Sequence, residues 1–336
     1  MSAQVDLPNY VQIEPVGQCN LRCRMCPIQF RTDGAPGQPR AYMSFEVFCA
    51  LVDQFPEVTE LHLQGLGEPL LHPRFFDMVS YAAQRGISVS TNTNMTVMSE
   101  PGAEECVRSG LRTMHVSLDG ASAEAYEAIR VRARFARVLR NLRRITQAKA
   151  RLQSSLPEIR LVAVVMRQNL AELPELVRLA HKEGISVLSV QHLCHDFGES
   201  SLPEKYKPMR AFIEHETLLN EDPERVDRYF TATRATAGEL GITLRLPNIR
   251  PRAHAANVGG RKRCDWPWRG SYISYDGKAM PCCMVATPDR INFGDMGHEG
   301  VADVWNNEAY RHFRERLESD APPEVCRSCA VYAGTF

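Results

Sequence analysis

The stretch Gln18-Cys19-Asn20-Leu21-Arg22-Cys23-Arg24-Met25-Cys26-Pro27 places three cysteines at C-x3-C-x2-C spacing near the start of a 336-residue chain. A structural zinc site or a fully ligated iron-sulfur cluster usually takes four protein ligands, because soft sulfur then closes the coordination of the metal. Three thiolates can instead hold three corners of a four-iron cluster and leave the fourth iron open to an incoming molecule. A zinc ion with three cysteine ligands is the alternative that this stretch leaves open.

The composition narrows the class of protein. Lys plus Arg number 40 and Asp plus Glu number 40, so no net charge favours nucleic acid or an anionic membrane surface as a partner. The N-terminus has no basic region followed by an apolar one, and no stretch approaches the length of about 18 apolar residues that spans a membrane. We therefore expect a soluble, cytoplasmic protein. Eleven cysteines without an export signal indicate metal or redox chemistry, because a reducing compartment disfavours disulfides.

Hydrophobic periodicity predicts six strand-helix repeats before residue 197. The predicted strands are 10–16, 59–64, 87–91, 113–118, 159–166 and 187–192. The predicted helices include 45–55 after the cap Ser44, 75–84, 122–129, 135–153 and 170–182. Strands that alternate with helices favour an α/β fold with a parallel sheet, either closed as a barrel or doubly wound. Periodicity alone does not choose between these two.

The pattern changes twice after residue 197. Residues 198–262 hold five prolines and one predicted helix at 224–239, which is typical of a connector. Beyond it come a predicted strand at 272–275, the hairpin signal Asp276-Gly277 and a predicted helix at 301–317. We therefore predict three parts, 1–197, 198–262 and 263–336.

A second group of cysteines lies in the last part. Its members are Cys264, Cys282, Cys283, Cys326 and Cys329. Four thiolates from two distant pairs describe a fully ligated site, which suits structure or electron transfer. A four-cysteine zinc site has the same pattern, so the residues alone leave both readings open. We expect Cys283 to be the extra thiol, although adjacent thiols leave the choice between Cys282 and Cys283 open.

The cysteine loop after the first strand resembles the signature of the radical S-adenosylmethionine (SAM) enzymes, and the resemblance extends through most of the chain. In that family, residues matching Cys19, Cys23 and Cys26 hold a 4Fe-4S cluster whose open iron chelates the methionine part of SAM. An electron then splits the sulfonium, and a deoxyadenosyl radical removes hydrogen from an unactivated carbon. The family usually has an aromatic residue where this chain has Met25, whose thioether can also pack on adenine. The resemblance selects a partial (β/α)6 TIM-like barrel.

The resemblance also assigns the ends of the strands, which line the active site of a parallel barrel. Gly65, Gly67 and Glu68 match the glycine-glutamate motif, which offers open backbone and a carboxylate to the methionine ammonium. The positions that match residues near the ribose and the methionine carboxylate are Asn92, Asn94, Ser117 and Arg130. Short polar residues after strands also form turns and helix caps, which is the alternative for the asparagines and the serine.

Candidates for contact with the substrate follow the fifth and sixth strands. Arg167 could hold an anionic or hydroxyl-rich molecule. His192, Cys194 and His195 could bind substrate, move a proton or donate a hydrogen atom. A metal site and an ordinary hydrogen-bonded loop are the alternatives for this cluster.

The second cysteine group resembles the short auxiliary-cluster module called twitch more than the longer SPASM module of the same ancestry. The resemblance implies a second 4Fe-4S cluster on Cys264, Cys282, Cys326 and Cys329. The spacing is similar to that of the deoxy-scyllo-inosamine dehydrogenases of aminoglycoside antibiotic biosynthesis, which oxidise a secondary alcohol to a ketone. It thus implies a sugar, aminocyclitol or nucleoside substrate, the auxiliary cluster as electron acceptor, and flavodoxin or ferredoxin as reductant.

Other reactions stay open at this point. Related enzymes epimerise sugars or decarboxylate nucleoside uronates, and the sequence does not separate these outcomes. Peptide modification is expected less, because such relatives commonly carry a leader-binding domain before the barrel and Cys19 leaves no room for one. A non-catalytic zinc protein belongs to a different class. It would be colourless with about two zincs, whereas two cubane clusters give a brown protein with roughly eight irons.

Overall fold

Nine strands form one sheet in the computed structural model, which describes residues 4–31, 41–193, 197–250, 264–285, 287–327 and 329–334. The strands are β1 (Tyr10–Ile13), β2 (Glu60–Leu63), β3 (Ser88–Thr93), β4 (Thr113–Ser117), β5 (Glu158–Val164), β6 (Val187–Gln191), β7 (Thr243–Arg245), β8 (Gly270–Ile273) and β9 (Ala279–Met280). Their order across the sheet is β7-β6-β5-β4-β3-β2-β1-β8-β9.

The first six strands pair in parallel in chain order. Their side chains alternate between two faces, as the pleat of a strand requires. On β2, Leu61 and Leu63 are buried against the helices, whereas His62 points to the other face. The α/β fold with a partial six-stranded barrel is therefore confirmed.

Fourteen helices accompany the sheet in the described ranges. They are α1 (Phe45–Val52), α2 (Phe75–Ala83), α3 (Glu100–Arg108), α4 (Ala123–Ile129), α5 (Phe135–Arg151), α6 (Leu173–Lys182), α7 (Lys207–Glu216), α8 (Pro223–Leu240), α9 (Trp266–Arg269), α10 (Met296–Glu299), α11 (Val301–Trp305), α12 (Glu308–Glu318), α13 (Glu324–Arg327) and α14 (Ala330–Ala333). Ser44 caps α1 as predicted, since its hydroxyl accepts from the Val47 amide at 3.1 Å. None of the helices in these ranges is long and apolar enough to cross a membrane.

Three local predictions were wrong. β3 continues through Asn92 and Thr93, which were expected to follow the strand, because polar residues on the inner face hide the strand signal. The connector adds β7 beside β6, a strand of three residues that is too short to give a periodic pattern. The helix predicted at 301–317 is two helices, and Asn307 caps the second by accepting from the Tyr310 amide at 2.9 Å.

The C-terminal segment joins the same sheet. β8 lies parallel to β1, with Tyr10 opposite Gly270, and β9 returns antiparallel to β8. The turn between them contains the predicted Asp276-Gly277, and Gly277 has φ +84°, a left-handed conformation that favours glycine. Tyr275 packs so closely on Gly17 that a Cβ there would lie 2.3 Å from its ring. The segment that carries the second cysteine group therefore lies against the loop that carries the first.

Candidate active site

The first three cysteines lie in the loop that leaves β1, surrounded by hydrogen-bond donors. The Leu21 amide lies 3.4 Å from Cys19 Sγ, and Asn94 Nδ2 lies 3.6 Å from the same sulfur. Arg130 Nη1 lies 3.9 Å from Cys23 Sγ. Such donors stabilise thiolate charge and help set the reduction potential of an iron-sulfur cluster.

Cys23 is buried, and Cys19 and Cys26 are partly buried. Burial raises the pKa of Cys19 to about 12, the pKa of Cys26 to about 12, and the pKa of Cys23 above its ordinary value. A thiol in this setting is ionised at neutral pH when a metal ion takes the place of its proton. The donor set and its surroundings thus fit a cluster held by three cysteines.

The glycine loop after β2 is shaped by a buried carboxylate. Glu14 Oε1 accepts from the Leu66 amide at 2.9 Å and from the Gly67 amide at 3.3 Å. A Cβ on Gly67 would lie 1.7 Å from the Val16 carbonyl oxygen. Because the backbone of residues 16–18 lies against this position, only glycine fits there.

Arg31 neutralises this carboxylate. Its Nη1 lies 3.1 Å from Glu14 Oε1, and both side chains are almost fully buried. Burial raises the pKa of Glu14, while Arg31 and the two loop amides oppose that rise. The sequence analysis missed this pair. A charged residue at the end of an otherwise apolar strand, Glu14, is the signal that could have indicated it.

Glu68 ties the end of β2 to the end of β3. Its carboxylate accepts from Thr93 Oγ1 at 2.6 Å, from the Asn94 amide at 2.7 Å and from the Leu70 amide at 3.2 Å. A carboxylate offers about four acceptor positions, so the predicted contact with a methionine ammonium has room beside these three bonds. Burial raises the pKa of Glu68 above its ordinary value.

Arg130 is fixed by a second buried ion pair. Its Nε lies 2.7 Å from Asp119 Oδ2. Burial opposes its charge, but Asp119 and Cys23 raise the pKa of Arg130 above its ordinary value. Asp119 also accepts from the Val164 amide at 2.8 Å, which attaches the pair to β5. The guanidinium is thereby held beside the Cys23 thiol.

The structure brings every predicted cofactor residue to one cavity of about 240 Å³. Its lining includes the three cysteines of the first loop together with Met25, Gly65, Gly67, Glu68, Asn92, Asn94, Ser117 and Arg130. It also includes residues that the sequence analysis missed, among them Thr93, Val162 and Gln191. These follow from the same rule, because they lie near the C-terminal ends of β3, β5 and β6.

A larger cavity of about 500 Å³ continues from the first toward the other end of the strands. The two share lining residues, including Met25, Cys26, Gln64 and Gln191. The larger one adds inward-facing residues of the strands such as His62, His115 and Ser189. Burial lowers the pKa of His62 to about 4 and the pKa of His115 to about 4, so both imidazoles are neutral at pH 7.

The predicted substrate residues have different positions. His192 lines the larger cavity, where its Nε2 lies 2.7 Å from the Asn248 carbonyl oxygen and burial lowers its pKa. Arg167 is not among the described residues that line either cavity. Its Nε lies 2.9 Å from Glu221 Oε2, and its Nη2 lies 3.3 Å from the Asn220 carbonyl oxygen. Arg167 therefore links the segment after β5 to the connector. Cys194 and His195 lie outside the described residues.

The second cysteine group also comes together. Burial raises the pKa of Cys282 well above its ordinary value, and the nearby thiols of Cys283, Cys329, Cys326 and Cys264 add to that rise. Cys283 in addition lines the larger cavity. No three of the described His, Cys, Asp or Glu side chains converge on a single metal ion. A four-iron cluster does not require such convergence, because each of its four thiolates binds a different iron. All five thiols are thus neighbours, and their placement does not choose between Cys282 and Cys283.

Comparison with known proteins extends these observations. The model of the radical SAM superfamily matches residues 13–180, and the model of the SPASM iron-sulfur cluster-binding domain matches residues 264–330. The chain is 24% identical to a tungsten-containing aldehyde ferredoxin oxidoreductase cofactor-modifying protein of Pyrococcus furiosus, over 96% of this chain and 87% of that one. It is 28% identical to a PqqA peptide cyclase of Xanthomonas euvesicatoria pv. vesicatoria, over 96% of this chain and 80% of that one.

A solved structure has the same fold. The crystal structure of Streptococcus suis SuiB bound to S-adenosylmethionine superimposes with a TM-score of 0.70, covering 98% of this chain and 72% of that one at 18% identity. The first model spans half of the chain and contains the cysteine loop, the glycine loop and Arg130. The chain therefore belongs to the radical SAM superfamily, with SAM and a 4Fe-4S cluster as its cofactors and a C-terminal SPASM domain for further iron-sulfur chemistry.

Proposed function

We propose that this enzyme oxidises a small polar metabolite, and that the reaction converts a secondary alcohol of a sugar, aminocyclitol or nucleoside into a ketone. The observation that carries the proposal is that one cavity is lined both by Cys26 of the first cysteine group and by Cys283, which adjoins the proposed auxiliary-cluster ligand Cys282 in the chain. A molecule in that cavity would lie between the source of the radical and an electron acceptor. The volume of about 500 Å³ is in the range of small-molecule sites.

The proposed oxidation removes two protons and two electrons from the alcohol. SAM and the first cluster supply, when bound, a radical that takes one hydrogen atom from the carbinol carbon. The ketone then forms by loss of the hydroxyl proton and one electron. Four thiols of the second group would hold the cluster that accepts this electron. Their place next to Cys283, which lines the cavity, supports an oxidation over a redox-neutral reaction.

His192 is the proposed acceptor of the hydroxyl proton. Its Nε2 lies 2.7 Å from the Asn248 carbonyl oxygen, so Nε2 carries the proton of the neutral ring and Nδ1 has the lone pair. Burial lowers its pKa and keeps the ring neutral at pH 7. Exchange of His192 for Gln keeps the size of the side chain and removes its basicity.

We also propose the finer assignments that the resemblance implied. Cys264, Cys282, Cys326 and Cys329 hold one auxiliary cluster in the short twitch form. The chain divides into 1–197, 198–262 and 263–336, and flavodoxin or ferredoxin is the reductant in the cytoplasm. Peptide modification is a second candidate function, supported by the likeness to a PqqA peptide cyclase. Epimerisation and uronate decarboxylation are alternatives for a small-molecule substrate.

The test uses anaerobically reconstituted enzyme with SAM, a reductant and a panel of aminocyclitols, sugars and nucleosides. We expect deoxyadenosine together with a product lighter by two hydrogen atoms. Cys26→Ala should abolish both, whereas Cys326→Ala should still cleave SAM and fail to form the oxidised product. Bound iron should fall from roughly eight to about four atoms in the second variant.

Four results would contradict the proposal. A product of unchanged mass would indicate epimerisation, and loss of carbon dioxide would indicate decarboxylation. Formation of the oxidised product by Cys326→Ala at the wild-type rate would exclude the second group as electron acceptor. Colourless protein with about two zinc ions would support the non-catalytic zinc protein instead.

A further inference from the structure

We propose that the larger cavity contains a subsite for an anionic group of the substrate, a carboxylate or a phosphate, and that Arg245 binds it. This inference rests on the proposed function, because it takes the larger cavity as the place of the substrate. It adds that the substrate is an acid or a phosphate ester. The subsite is built by β7, a strand outside the residues that match the superfamily model.

Arg245 carries a charge that none of the described residues neutralises. It is exposed and lines the larger cavity, and it lies opposite Ser189 of β6 in the sheet. It has neither a hydrogen bond nor an ion pair with any described residue. Arg160, the nearby arginine on β5, is by contrast held by both carboxylate oxygens of Glu158 at 2.9 and 2.7 Å. The planar guanidinium of Arg245 is therefore available for two-point binding of a carboxylate or phosphate.

The lining of the cavity favours negative charge. No Asp or Glu belongs to its lining within the described ranges, which instead offers amides, hydroxyls and imidazoles. His115 is close enough to Arg245 for that charge to act on its imidazole, and His115 Nδ1 is buried without a hydrogen-bond partner. The ring of His62 lies 6.2 Å from the ring of His115 and is engaged by Ser90 and Gln64. An anion on Arg245 would thus have a neutral polar group beside it and no carboxylate in the described part of the lining.

The subsite would also orient the substrate. His115 lies two residues before Ser117 on β4, and Ser189 lies two residues before Gln191 on β6. Ser117 and Gln191 line the smaller cavity of about 240 Å³, called here the SAM-side cavity because the predicted SAM-binding residues line it. Two residues of a strand span roughly 7 Å. An anionic group bound at this depth would point the opposite end of a small molecule toward Met25 and Cys26, where the hydrogen atom is removed.

Ligand-observed NMR on the reconstituted holoenzyme tests the subsite with three probes of the same size, benzoate, phenylphosphonate and benzamide. We expect at least one of the two anions to bind about tenfold or more tightly than neutral benzamide, as a charge-assisted contact predicts. The anion that binds better identifies carboxylate or phosphate. Arg245→Met should abolish the preference and Arg245→Lys should keep part of it. Arg228→Met, a change of an exposed arginine on α8 of the same connector, should leave it unchanged.

Equal binding of the three probes, or a preference that persists in Arg245→Met, would overturn the subsite. The retained preference of Arg245→Lys guards against misfolding as the cause of a loss, together with the iron content of each variant. SAM cleavage in the same preparation separates the two proposals. If the enzyme cleaves SAM but does not prefer the anions, the subsite alone is excluded. If it prefers the anions but does not cleave SAM, the proposed function alone is excluded.

Discussion

Removal of the Glu14 carboxylate tests how the glycine loop is held. In Glu14→Leu, the Leu66 and Gly67 amides lose their acceptor at 2.9 and 3.3 Å, and Arg31 loses the carboxylate at 3.1 Å. Breaking a buried ion pair by removing one partner costs about 3–5 kcal/mol. A chain of 336 residues has an unfolding entropy of roughly 0.7 kcal/mol per degree at its midpoint. The expected loss is therefore about 4–7 °C in thermal midpoint.

Two further variants separate charge from loop geometry. Glu14→Gln keeps an acceptor for the loop amides and removes the charge, so its SAM affinity should remain closer to wild type than that of Glu14→Leu. The double variant Glu14→Leu/Arg31→Met replaces the whole pair with apolar groups, which is often neutral for stability. It should regain most of the midpoint while its SAM affinity stays lowered by at least about tenfold.

Differential scanning calorimetry and equilibrium dialysis with labelled SAM, both under anaerobic conditions, measure these two quantities. A midpoint within about 1 °C of wild type in Glu14→Leu would refute the role of the ion pair. Wild-type SAM affinity in the double variant would refute the claim that Glu14 shapes the loop.

Four further outcomes are expected. Gly67→Ala should abolish SAM binding, because its Cβ would lie 1.7 Å from the Val16 carbonyl oxygen; equilibrium dialysis measures this. Gly238→Ala, where nothing lies within 4 Å, should raise the free energy of unfolding by about 0.5–1 kcal/mol, which calorimetry measures. Arg130→Met should move the potential of the first cluster to a more negative value in an EPR-monitored titration, since a cation 3.9 Å from Cys23 Sγ is lost; an unchanged potential would contradict this. The pKa of His62 is about 4 in the folded protein and about 6.5 in the unfolded one, so the unfolded protein binds more protons between these pH values. The free energy of unfolding should therefore fall by up to about 2 kcal/mol as the pH is lowered from 6.5 to 5. The decrease should be smaller in His62→Gln, and an identical pH profile would exclude the histidine as its cause.

Local patterns predicted which residues line the SAM-side cavity, and the reason is physical. In a parallel barrel each strand ends at the same face, so a residue at the end of any strand is brought to the site whatever lies between the strands in sequence. Gly65 to Glu68, Asn92 and Ser117 were indicated by that rule together with the family resemblance, and all line one cavity. Met25 lines the same cavity at the place where relatives usually have an aromatic residue.

Sequence patterns gave no information where a side chain has a partner that is distant in sequence. Arg167 follows a strand as the rule requires, yet Glu221 on the connector binds it away from both cavities. Arg245 lies in a strand of three residues that no periodic pattern marks. His62 and His115 look like ordinary strand residues until the sheet places them on the inner face.

The sequence by itself determined the kind of chemistry, because three closely spaced thiols and a glycine loop act through local geometry that a short segment encodes. Only the tertiary structure decided that Glu14 pairs with Arg31, that one cysteine of each group lines the larger cavity, and that Arg245 has no acidic partner in the described residues. These facts depend on contacts between segments separated by up to hundreds of residues. Burial then sets the energy with which each charge interacts with its neighbours, and side chains are buried only once the sheet and helices have packed.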